Sequence, residues 1–173
     1  MARLTLAASL LASLAIAGCA GHPCTGAAES ECREPIEVSV VRVIDGDTFD
    51  VDPPVELGSE GEIDRFRMLC IDTPETGECG YDEATERLDE LIGGQTVTLH
   101  FDSDCTGTYD RGLAYVVLGG KLVNLQLAKE GYALPIEAYF ADHACCDEVV
   151  AATETAEAGG TGSWGSCAED PWL

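Results

Sequence analysis

The amino-acid sequence predicts a mostly β fold of the α+β class, in which five strands close a barrel that carries about three helices. Three features point to it. Runs of β-branched residues begin at Ile36, a single helically spaced segment separates the third run from the fourth, and the remaining helical patterns come at the end.

Val38, Val40, Val41, Val43 and Ile44 form the first strand, and Asp45-Gly46-Asp47 is a tight turn into a second at Thr48-Phe49-Asp50-Val51, which makes a hairpin. Pro53-Pro54 and the stretch from Gly58 to Gly61 are expected to interrupt that strand. A third strand is predicted from Arg65 to Ile71, ended by Thr73-Pro74 because a residue before proline is held extended. Ala84, Leu88, Leu91 and Ile92 recur at helical spacing between Tyr81 and Ile92, and Gly93-Gly94 stops the helix. Val97, Leu99 and Phe101 share one face of a strand from Gln95 to Phe101, and a fifth strand spans Leu113 to Leu118 before Gly119-Gly120. A second helix fits Leu122 to Glu130, a third fits Asp142 to Ala156 ahead of Gly159-Gly160, and Trp164 is expected to plug the domain. This order suits a five-stranded barrel of the OB type with helices, an architecture shared by many functions.

The 173 residues, 46% hydrophobic and 24% charged, suffice for one domain with a real core and short extensions. Residues 1–18 are predicted to be a leader, 19–35 a tether, 36–165 the barrel domain and 166–173 a tail. Arg3 precedes an apolar stretch from Leu4 to Ile16, too short to span a bilayer and typical of an export signal. Ile16-Ala17-Gly18-Cys19 resembles a bacterial lipobox, which implies that Cys19 is lipidated and begins the mature chain. The alternative is ordinary cleavage after Ala15-Ile16-Ala17. The expected location is the bacterial cell envelope, exported and lipid-anchored with Ala20 matching outer-membrane sorting, or else secreted. The only membrane contact expected is through that N-terminal lipid, on a monomer.

Of nine cysteines, setting Cys19 aside leaves an even set: Cys24, Cys32, Cys70, Cys79, Cys105, Cys145, Cys146 and Cys167. Structural disulfides suit an exported chain, though the spacing leaves their connectivity open. Zinc is disfavoured, since there is no Cys-x-x-Cys and His22, His100 and His143 lie far apart.

A formal charge of −23, from 32 Asp and Glu against 9 Lys and Arg, argues against loose binding of a phosphate backbone by a basic surface. Any nucleic-acid site must be local and needs a divalent cation to offset the field. Four segments offer the groups for such a site: Ile44-Asp45-Gly46-Asp47-Thr48, Phe66-Arg67, Ile71-Asp72-Thr73-Pro74-Glu75, and Tyr109-Asp110-Arg111-Gly112-Leu113-Ala114-Tyr115. Phosphodiester hydrolysis needs a hard cation on oxygen ligands, a base for water and cationic donors for the phosphate. Asp47 at the hairpin and Asp72 at a strand end can supply two metal carboxylates, with a main-chain carbonyl and waters completing the shell. Asp45 either orders a water at the metal or caps the turn. Glu75, three residues past Asp72, is the candidate general base or water positioner. Arg67 and Arg111 stay charged and can grip two phosphate oxygens at once, although either could simply pair with a nearby carboxylate. On one extended strand the Cα atoms of Arg67 and Asp72 would lie roughly 16 Å apart, a gap that long side chains, a bound metal and the phosphate itself can bridge.

In this order the four segments resemble the signature segments of the staphylococcal (micrococcal) nuclease family; Val123-Asn124 and Gly162-Ser163-Trp164 look similar too, so the resemblance runs from about Val38 to Trp164. It implies Ca2+ held by Asp47, Asp72 and the carbonyl of Thr73, Glu75 acting on the attacking water, and Arg67 and Arg111 binding the phosphate. Tyr109 would contact a terminal phosphate or sugar, and Tyr139 could stack on a base. The implied activity is a Ca2+-dependent endonuclease cutting DNA, RNA or both to 3′-phosphate ends. The chain departs from the family in having only two lysines, Lys121 and Lys129, and in its cysteines. The competing functions are an OB module that binds nucleic acid without cutting it, and an envelope lipoprotein whose carboxylates hold Ca2+ for stability alone.

Overall fold

In the computed structural model, which describes residues 33–102, 105–107, 109–136 and 146–168, the strands that begin at Ile36, Glu62 and Thr96 follow from an alternation of apolar and polar positions, whereas the strand from Gly112 is apolar throughout. The leader, Cys19, most of the tether, Tyr139 and residues 142–145 of the expected third helix lie outside the described residues.

Strand β1 (Ile36–Val43) turns Val38 and Val40 inward, and a bulge between Val40 and Arg42 leaves Val41 facing solvent. β2 (Thr48–Glu56) is longer than the sequence suggests, running through both prolines instead of ending before them. Its ladder with β3 skips the residues between Asp50 and Val55, so Pro53 and Pro54 sit where no amide has to donate across the strands. β3 (Glu62–Met68) starts earlier than expected and also stops earlier. Cys70, at φ 63°, turns the chain out of line, and Ile71–Asp72 becomes a separate short strand, β4.

Helix α1 (Tyr81–Ile92) matches its predicted range and buries Ala84, Leu88 and Ile92 on one stripe. β5 (Thr96–His100) and β6 (Gly112–Leu118) follow, then the two-residue β7 (Lys121–Leu122), α2 (Val123–Lys129) and β8 (Leu134–Pro135), which pairs with β4. α3 (Cys146–Gly159) ends three residues beyond the expected Ala156, and a single turn, α4 (Ser163–Ser166), carries the half-buried Trp164.

The main sheet has the order β3-β2-β1-β5-β6-β7, and a parallel pairing of β3 with β6 closes β1, β2, β3, β5 and β6 into the five-stranded barrel. Phe66 lies at the seam, with ring centroids 6.2 Å from Phe49 and 6.3 Å from Phe101. Its cross-strand partner is Gly112, and a Cβ there would stand 2.3 Å from the Phe66 ring, so closure requires glycine at that position.

Asn124, fully buried at the start of α2, ties helix to barrel. Its Oδ1 accepts the Val116 amide at 2.9 Å, and its Nδ2 donates to the Leu69 carbonyl at 2.8 Å, in the turn that follows β3. Two disulfides add long-range closure. Cys70–Cys146 fastens the same turn to α3, and Cys79–Cys167 fastens the approach to α1 to the end of α4; Cys105 is disulfide-bonded as well.

Candidate active site

The turn from β1 into β2 begins the site. The Asp45 carboxylate accepts the Asp47 amide at 3.1 Å, which makes Asp45 the cap of the turn, while Ile44 donates to the Thr48 carbonyl at 2.9 Å. Asp47 therefore points away from solvent and is only 1% exposed. A Cβ on Gly46 would come within 2.7 Å of the Thr73 hydroxyl and 2.9 Å of the Ala84 Cβ, so a glycine here lets the hairpin dock against the β4 segment and α1.

The buried Asp47 carboxylate collects four donors. Oδ1 accepts the Thr48 hydroxyl at 2.9 Å and Arg67 Nη1 at 2.7 Å, and Oδ2 accepts the Thr73 amide at 3.2 Å and the Thr73 hydroxyl at 3.3 Å. Arg67 also donates through Nη2 to Asp72 Oδ1. The sharp turn at Cys70 explains this direct pairing, which replaces the long separation expected of a continuous strand. Arg67 is thus a bridge between two acids, one buried and one half-open to solvent.

Burial pushes the Asp47 carboxyl up to about 7; Arg67 and the Thr48 hydroxyl pull it down, and the charges of Asp45 and Asp72 push it further up. For Arg67, burial alone would lower the guanidinium, but Asp47 and Asp72 outweigh it and hold it above its usual value. The cluster is short of positive charge: Asp45, Asp47 and Asp72 set against Arg67 leave a formal excess of two negative charges.

Beside this cluster lies an open cavity of about 370 Å³ lined by Ile44, Asp45, Thr48, Arg65, Glu75, Tyr109 and Arg111. Asp45 and Thr48 belong to both the cavity wall and the Asp47 cluster, and so join the two. Glu75 is exposed at the cavity, just past Thr73-Pro74. Tyr109 and Asp110 both have positive φ, 69° and 51°, in the turn before β6. That turn leaves Tyr109 85% exposed, with the Arg111 guanidinium carbon 5.5 Å from its ring centroid.

The residues expected from the sequence thus assemble around one end of the barrel, apart from Cys19 and Tyr139, which lie outside the described residues. Two contributors were missed. Thr48 follows Asp47 directly in the turn segment, and Arg65 stands two residues before Arg67 and so shares its face of β3; those spacings were the available signals.

The fold and the site define an OB-type barrel with a carboxylate and guanidinium centre at one end. Residues 65–166, more than half of the chain, match the family model described as staphylococcal nuclease homologue, and the chain belongs to that family. Asp45 and Asp47 lie ahead of the matched span. Similar proteins include the thermonucleases of Staphylococcus intermedius and Staphylococcus hyicus, 38% and 39% identical over 100 residues, each alignment covering 54% of this chain and 56% of the relative. The SPbeta prophage-derived endonuclease YokF of Bacillus subtilis is 37% identical over 108 residues, 58% of this chain and 34% of that protein. The chain therefore spans about half the length of the thermonucleases that it matches, and a third of YokF.

Proposed function

We propose that this domain is a Ca2+-dependent nuclease that hydrolyses phosphodiester bonds of DNA, RNA or both, leaving 3′-phosphate ends. The observation that carries it is the Arg67 bridge between Asp47 and Asp72 beside a cavity bordered by Glu75 and Arg111.

The donor chemistry fits a hard dication. Every candidate ligand is oxygen, the cluster carries excess negative charge, and Asp47 is a buried carboxylate with a raised proton affinity. Among the described residues no three His, Cys, Asp or Glu side chains form a ready metal cage, so protein ligation would come from Asp47, Asp72 and the Thr73 carbonyl, with waters completing the shell. When bound, Ca2+ supplies Lewis-acid polarisation of the phosphate and of a water.

The chain's own groups would do the rest. Glu75 accepts a proton from the water that attacks phosphorus. Arg67 and Arg111 donate to the non-bridging oxygens, stabilising the charge that builds up there. The bond from phosphorus to the 5′ oxygen breaks, and that oxygen takes a proton from solvent. Tyr109, exposed beside Arg111, would meet a terminal phosphate or sugar.

Disulfides between sequence-distant cysteines favour an oxidising compartment, consistent with export and with lipidation at Cys19. The test is incubation of the oxidised protein with DNA and with RNA, in Ca2+ or in a calcium chelator, alongside Glu75→Gln. Cleavage in Ca2+ alone, strongly reduced in the variant, is expected. Intact substrates across a range of salt concentrations would contradict the proposal, and thermal stabilisation by Ca2+ without cleavage would favour a structural cation instead.

A further inference from the structure

Arg65 belongs to none of the motifs from which the site was first recognised, yet it lines the same cavity as Asp45, Glu75, Tyr109 and Arg111. β3 accounts for its direction. Arg65 and Arg67 share the outer face of the barrel, and Phe66 between them turns into the core. Directly across on β2 stand Asp50, opposite Arg65, and Thr48, opposite Arg67.

Asp50 holds Arg65 by two bonds, from Nε to Oδ1 at 2.7 Å and from Nη2 to Oδ2 at 3.1 Å. This fork fixes the plane of the guanidinium, and Nη1 takes no part in it. The Arg65 side chain remains 42% exposed. Arg42 also approaches Asp50, at 3.5 Å, so two guanidinium groups share one carboxylate and the trio keeps a positive charge within a chain of −23. Two residues along a strand advance about 7 Å, which sets Arg65 one step beyond Arg67 on the same surface.

We infer that Arg65 is a substrate-binding residue that holds the phosphate next to the one being cut, with Asp50 as its positioning residue. The inference rests on the nuclease proposal for its substrate, and it names the group with which a lysine-poor surface grips a polyanion.

The test is binding of a fluorescent single-stranded oligonucleotide in Ca2+ by Glu75→Gln protein, with and without Arg65→Ala. Loss of Arg65 is expected to weaken binding about tenfold. The salt dependence should become shallower by about 0.7 in log–log slope, one phosphate contact on a single strand. Arg65→Lys should keep the slope and recover part of the affinity. Lys129→Ala, which removes a cation in the last turn of α2, should leave both unchanged. In cleavage, Arg65→Ala should raise KM for the oligonucleotide at unchanged kcat, while a small diester with a single phosphate is cut equally by both proteins.

Unchanged affinity and slope in Arg65→Ala would overturn the assignment, as would an equal loss on the single-phosphate diester. If the unmodified protein cuts nothing but Arg65→Ala still weakens binding, the nuclease proposal falls and Arg65 stands as a phosphate-binding residue alone. Absence of binding by Glu75→Gln overturns both.

Discussion

Asp47 and Arg67 are 20 residues apart in sequence and meet at 2.7 Å, the first at the turn that opens β2 and the second near the end of β3. The hairpin register brings them together: Thr48, next to Asp47, stands directly opposite Arg67. A carboxylate this buried is tolerated because one guanidinium and three hydroxyl or amide donors surround it.

Removal of Arg67 should therefore destabilise the calcium-free protein. Arg67→Ala leaves Asp47 buried without its cation, and a loss of about 3 kcal/mol is expected in urea melts at alkaline pH, where Asp47 is ionised. The loss should shrink as pH falls through about 7, where Asp47 takes up a proton. An unchanged urea midpoint would mean that the pair contributes little to the fold.

Gly46 tests how closely the hairpin must dock. Gly46→Ala puts a methyl group 2.7 Å from the Thr73 hydroxyl, and Thr73 is both an Asp47 partner and the expected source of a calcium carbonyl. A destabilisation of about 2 kcal/mol is expected, within the range for overpacking, together with weaker Ca2+ binding by calorimetry. Wild-type behaviour in both measurements would show that the turn can move away from Thr73 without consequence.

Asn124 makes a different kind of contribution, since its side chain satisfies one buried amide and one buried carbonyl. Asn124→Ala is expected to cost about 2–4 kcal/mol, roughly 1–2 for each group left unpaired. Chemical denaturation measures it. Because Leu69 lies in the turn between Arg67 and Asp72, hydrogen exchange should also accelerate there and in the amides around Val116.

Arg87 and Glu130 supply a pH signature away from the site. Arg87 grips Glu130 by two bonds, at 2.6 and 3.0 Å, and this holds the Glu130 carboxyl below its ordinary value of 4.5, with burial opposing and Gln126 assisting. The pair's stabilisation is complete above the unfolded value and disappears as pH falls through the lowered folded value. Both side chains are about a third exposed, so the worth is about 1 kcal/mol. The stability difference between unmodified protein and Arg87→Ala should be constant above about pH 5 and narrow below about pH 4. A difference that widens in acid would contradict this assignment.

The barrel was largely legible in the sequence because local patterns dictate most of it. Alternation marked β1 and β5, the 3.6-residue period marked α1, and Gly93-Gly94 marked where α1 stops. What escaped depended on partners distant in sequence. Pro53 and Pro54 stay within β2 only because the ladder to β3 skips them, and the Cys70 turn is held by α3, by Asn124 and by the Leu69 amide bonding the Ala114 carbonyl. The acids and arginines of the site could be picked out from their segments, but the direct Arg67–Asp72 pairing could not, since on an extended β3 their backbones would lie far apart. Arg65 escaped because its role depends on Asp50 across the hairpin.

The most direct test of the central claim is single-turnover cleavage, in Ca2+, of a 5′-labelled oligonucleotide by the unmodified protein and by Arg67→Ala. Products with 3′-phosphate ends are expected, at a rate lower by about 10²–10³-fold in the variant, the loss expected for a donor to developing charge. Equal rates in the two folded proteins, or no cleavage by the unmodified one, would contradict it.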